Sequence, residues 1–135
     1  MDKEDIDNIR DNIVAQAKVF LDEMGEFFPF GAVIDNNHKL SPLGIHNGDE
    51  FPTSKDVIKD LEKVLAEGFK SGSFITGGIG LDIYLPLKDN AGKMSALEVR
   101  IINNKGLIAT YRLPYIFTDS KEARFYAPIV VQEKF

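Results

Sequence analysis

The chain has no cysteine among its 135 residues, which excludes a disulfide framework, a thiolate zinc site and a cysteine nucleophile together. Histidine is almost as scarce. His38 and His46 are the only two, whereas a zinc or iron site takes three or four protein ligands at characteristic spacing, so neither a metal nor a metal cofactor is expected. Long hydrophobic runs are missing too, none approaching the ~20 apolar residues that span a bilayer. Positive charge is in deficit, with 16 Lys and Arg against 21 Asp and Glu and a net charge of −5. The basic residues are scattered instead of gathered in a stripe, a surface that repels phosphate backbones and offers no basic amphipathic stretch to anionic lipid. The sequence therefore predicts no nucleic-acid partner and no membrane. Met1 to Asp5 is acidic and lacks the basic start and apolar run of a secretory leader, which predicts a cytoplasmic protein.

What is present is ordinary globular material: 44% apolar and 27% charged residues, consistent with one domain over 1–135 that buries roughly two-thirds of its extended surface. Ile6, Ile9, Ile13, Ala17, Phe20, Leu21 and Met24 repeat the three-or-four spacing of one helix face, and Gly25 follows where a left-handed cap is cheapest. Phe27-Phe28-Pro29-Phe30 is too apolar for a free loop and leads into Gly31 to Ile34, read as a strand. Asp35 to His38 is turn chemistry, and Lys39 to Leu43 returns as a hairpin arm that Pro42 restricts to an edge. Thr53-Ser54-Lys55-Asp56 has the form of an N-cap with an acid three residues on. Val57, Ile58, Leu61, Val64 and Leu65 then stripe a second helix, which Gly68 is placed to end.

After Gly72 the period falls to two. Ile79, Leu81, Ile83 and Leu85 alternate with Gly78, Gly80, Asp82 and Tyr84; Leu97, Val99 and Ile101 mark the next strand; Leu107 to Leu113 and Phe125 to Val131 supply the third and fourth. Pro114 and Pro128 belong at strand ends or edges. The predicted fold is α+β in the order α-β-β-α-β-β-β-β, with two helices packed on one face of a single mainly antiparallel sheet and the odd-numbered strand residues turned toward them.

Two motifs fail on inspection and a third is kept as a site candidate. Thr76-Gly77-Gly78-Ile79-Gly80 lacks the Lys-Ser/Thr of a phosphate loop and the following helix of a dinucleotide site, so its glycines are read as room for the second helix or a neighbouring backbone. Asp35-Asn36-Asn37 begins like a calcium loop, but Lys39 stands where a ligand is wanted. His46-Asn47-Gly48-Asp49-Glu50 groups an imidazole with two carboxylates, which acid-base chemistry uses if they line a cleft, although a solvated acidic loop ahead of a helix N-terminus explains the same residues better. The better-defined feature is the other face of the meander. Read literally, the alternation projects Asp82, Tyr84, Glu98, Arg100, Arg112 and Tyr126 there, with Ile102, Ile108 and Ile116 also outward, a mixture that suits a docking surface or a solvated face with cross-strand ion pairs.

Two segments, Glu26-Phe27-Phe28-Pro29-Phe30-Gly31-Ala32 after the first helix and Asn47-Gly48-Asp49-Glu50-Phe51-Pro52 before the second, resemble a group of small uncharacterised bacterial proteins. Phe28 departs from the group, which has tyrosine there. The resemblance implies a bacterial cytoplasmic protein and carries no catalytic residue, no reaction and no cofactor.

The sequence thus favours a noncatalytic protein-binding module, self-associating or masking another protein as an immunity protein does, with the six sheet-face residues as its binding set. The alternative is a small-molecule binding protein or enzyme whose pocket takes Phe28, Phe30, His46, Asp49 and Glu50.

Overall fold

The computed structural model describes residues 3–44, 53–87 and 92–135. Helix α1 (Lys3–Met24) ends on Gly25 at φ 75°. Strands β1 (Phe30–Asp35) and β2 (Leu40–Leu43) form a hairpin whose turn is held by the Asp35 carboxylate, which accepts the N–H groups of Asn37 and Lys39 at 2.8 and 2.9 Å. Helix α2 (Ser54–Ser71) starts on Thr53, whose hydroxyl accepts the Asp56 N–H at 3.1 Å. It runs past the predicted stop at Gly68, because Phe74 folds back over that buried glycine where no side chain would fit, and ends on Gly72 at φ 80°. The chain continues through β3 (Phe74–Pro86), β4 (Lys93–Asn103) and β5 (Gly106–Phe117). The predicted fourth strand of the meander is two strands, β6 (Ala123–Phe125) and β7 (Ile129–Glu133), parted by Tyr126-Ala127-Pro128.

All pairings in this seven-stranded sheet are antiparallel, and the α+β class stands. The order is β2-β1-β3-β4-β5. Beyond β5, β7 pairs with residues 109–112 and β6 with residues 115–117. Pro42 lies in the outer strand β2. Pro114 sits inside β5, at the last pair of the β4–β5 ladder, where its missing N–H costs least.

The two helices do not share a face, contrary to expectation. Ile6, Ile9 and Ile13 of α1 pack with Ala32, Val99, Ile101 and Tyr111 on one side, while Val57, Leu61 and Leu65 of α2 pack with Val33, Ile79 and Leu81 on the other. The cause is register. Val99 on β4 is opposite Gly80 on β3 and Tyr111 on β5, so the odd members of β4 and β5 share a face with the even members of β3. The apolar odd residues of β3 consequently point away from α1, and α2 covers them. β3 is buried on both faces from Thr76 to Leu81. Its glycines allow this: a Cβ on Gly78 would lie 2.5 Å from Ile9 and 2.7 Å from Ile13, and one on Gly77 would collide with Leu65. The helices close on opposite sides of adjacent glycines: the approach of α2 at Gly77 is the expected one, and that of α1 at Gly78 is not.

The odd-inward rule also fails at the last strand. Ile129, Val130 and Val131 are all exposed.

Candidate functional site

Helix α2 lies over β1 and β3 and reaches β4 only at Ile102, so among the described residues no helix covers the rest of β4, β5 and β7 on that face. Register assembles two rows across four strands there: Leu81, Glu98, Arg112 and Ile129 in one, Ile79, Arg100, Thr110 and Gln132 in the next. Glu98 is only 4% exposed. A buried carboxylate is costly unless paired and hydrogen-bonded, and here both oxygens are used. Arg100 Nε donates to Oε2 at 2.9 Å and Arg112 Nε donates to Oε1 at 3.0 Å. Such charge-assisted bonds are roughly twice as strong as neutral ones. Each guanidinium is held through Nε alone, and among the described residues the Nη groups have no protein partner. The three side chains carry one net positive charge, and both arginines remain 38% exposed.

One aliphatic group borders the cluster: Ile129, directly opposite Arg112, is 50% exposed. Ile116, four residues or about 13 Å farther along the same side of β5, is also exposed. Beside Thr110, Gln132 Nε2 donates to its hydroxyl at 3.2 Å. Two residues past Arg100, about 7 Å along the strand, Ile102 lines a groove of about 530 Å³ whose other wall is the flank of α2 at Glu62, Phe69 and Lys70.

Of the six predicted face residues, Glu98, Arg100 and Arg112 are brought together. Asp82 and Tyr84 are not with them: the β3–β4 register turns both to the α1 face, near the C-terminal end of that helix. The Tyr115 hydroxyl donates to Asp82 Oδ1 at 2.8 Å. Burial pushes the Asp82 carboxyl above its ordinary range, the Tyr115 bond opposes this and repulsion from Glu26 adds to it; burial and the bond to Asp82 raise Tyr115 in turn. Tyr84 is exposed, with Lys93 Nζ 5.7 Å from its ring centroid. Tyr126 follows β6 and stands exposed, its N–H bonded to the Pro114 carbonyl at 2.8 Å. Of the apolar residues expected outward, only Ile116 is exposed. Ile102 packs partly beneath α2, and Ile108 is buried at the bulge where the β4–β5 register shifts.

Comparison with protein-family models, curated proteins and solved structures finds no match to this chain.

The alternative pocket loses one of its members. Phe30 is a core residue wedged edge-on between Phe20 and Phe27, at centroid distances of 5.3 and 5.6 Å, while Phe28 is 65% exposed. His46, Asp49 and Glu50 lie outside the described residues. Sequence reasoning missed Thr110, Gln132 and the outward side of Ile129, because alternation within a strand carries no sign of which residue the neighbouring strand sets opposite it.

Proposed function

We propose that this chain is a noncatalytic, cytoplasmic bacterial protein-binding module that docks its partner on the open sheet half beside α2. The observation that carries the reading is a buried Glu98 holding two part-exposed arginines in place, with exposed Ile129 directly opposite Arg112. Arginine fixed by a second side chain loses little freedom on binding, and arginine beside apolar surface is the composition of binding hot spots. Ile129, the β7 residue opposite Arg112, adds exposed apolar surface next to the charged cluster. No helix among the described residues is long and apolar enough to cross a membrane.

The test is site-directed photocrosslinking in bacterial cells, with a benzoylphenylalanine at Ile129 or Ile116 and, as control, at Glu67 on the solvent side of α2. Adducts of one defined mass at the first two positions and none at Glu67 are expected. Adducts at no position, or equally at all three, would exclude the open face as a docking surface.

A further inference from the structure

We propose that the Arg100–Arg112 pair is a carboxylate receptor, and that the partner is a protein presenting an Asp or Glu side chain among aliphatic residues. The inference rests on the reading of the open face as a docking surface and names the chemistry of its occupant. Glu98 uses both oxygens on the two Nε atoms, so it orients the guanidiniums while leaving their Nη donors unpaired among the described residues. The Nη donors of two guanidiniums flanking one anchor suit a planar carboxylate, which accepts through both oxygens.

Charge selects the class of anion. One net positive charge matches a single carboxylate and falls short of a dianionic phosphate. Ile129, directly across from Arg112, and Ile116 fit the aliphatic neighbours of an acidic residue on a protein segment. The groove along α2 at Phe69 and Ile102 continues the same face and gives such a segment a path. Both arginines come from central positions in paired strands, so the site is preformed and little ordering is needed on binding.

The experiment is an NMR titration of the whole ¹⁵N-labelled chain, following backbone amides and the arginine Nε–Hε signals. The probe is the peptide acetyl-Glu-Leu-Glu-Leu-Glu-amide; the controls are its all-Gln counterpart and inorganic phosphate. The Glu peptide is expected to shift Arg100, Arg112 and Ile129 saturably, about tenfold more tightly than the Gln peptide, and R100K/R112K to weaken it at least about fivefold with an otherwise unchanged spectrum. Equal affinity for the Gln peptide, tighter binding of phosphate, shifts that map elsewhere, or arginine signals that move with protein concentration alone would each overturn the assignment; the last points to a second copy. Photocrosslinks at Ile129 together with no response to the Glu peptide would retain the docking face and reject the carboxylate.

Discussion

Leu81 of β3 stands directly opposite Glu98 of β4, an apolar residue beside a charged one on the same face of the sheet. This pairing joins the two parts of that face. Leu81 belongs to the cluster under α2; Glu98, one strand over, anchors the arginines of the open half.

Gly78→Ala drives a methyl group into Ile9 and Ile13, both fully buried. A loss of about 1–3 kcal/mol is expected, the usual cost of overpacking, read as a lower urea midpoint with unchanged slope. A neutral result would mean that α1 moves off β3 freely.

Thr53→Ala removes the hydroxyl that accepts the Asp56 N–H at the start of α2. The expected cost is about 1 kcal/mol. Thr53→Ser should recover most of it, and equal midpoints for all three proteins would show that the cap contributes nothing.

Glu98→Gln keeps the shape of the anchor and removes its charge, exchanging two charge-assisted bonds for weaker contacts. A loss of about 1–2 kcal/mol is expected, smaller in an Arg112→Ala background because the pair is then already broken. Identical losses in both backgrounds would show that Glu98 and Arg112 are uncoupled.

Asp22 and Asp82 carry opposite pH signatures. The Lys18 ammonium, followed by the Ala123 N–H at 2.7 Å, holds Asp22 below its ordinary value of 3.8. Its contribution is fully present above about pH 3.8 and disappears as pH falls through the lowered value. Asp22→Asn should therefore be less stable than the parent at pH 7, with the gap closing below pH 3.8. Asp82 is raised by burial, so its charge costs stability above the raised value and the cost vanishes on acidification below 3.8. Asp82→Asn, which still accepts the Tyr115 hydroxyl, should be the more stable protein at pH 7 and its equal in acid. Urea midpoints across pH 2.5–7 check both, and a destabilised Asp82→Asn at pH 7 would contradict the sign.

Local sequence determined where the elements lie. The stripe from Ile6 to Leu21, the Thr53 cap, the left-handed Gly25 and the alternation from Ile79 to Leu113 are each set by neighbours within a few residues, and all were legible. Gly68 was not legible as a helix-interior residue, because its reason is Phe74 packed over it. Likewise, Phe125 to Val131 alternates like one strand, yet it divides at Tyr126-Ala127-Pro128 into two strands that pair with different stretches of β5.

The faces were decided by tertiary structure alone. Alternation tells that Ile79 and Val99 each turn away from their polar neighbours, but not that they turn to opposite sides. That depends on the β3–β4 register, which sets Gly80 against Val99 and Ile79 against Arg100. One residue of slip would exchange every side chain on β3 between faces. The two helices, and Asp82 and Tyr84 against Glu98, Arg100 and Arg112, are sorted by that offset, which is a property of the paired strands and of neither strand separately.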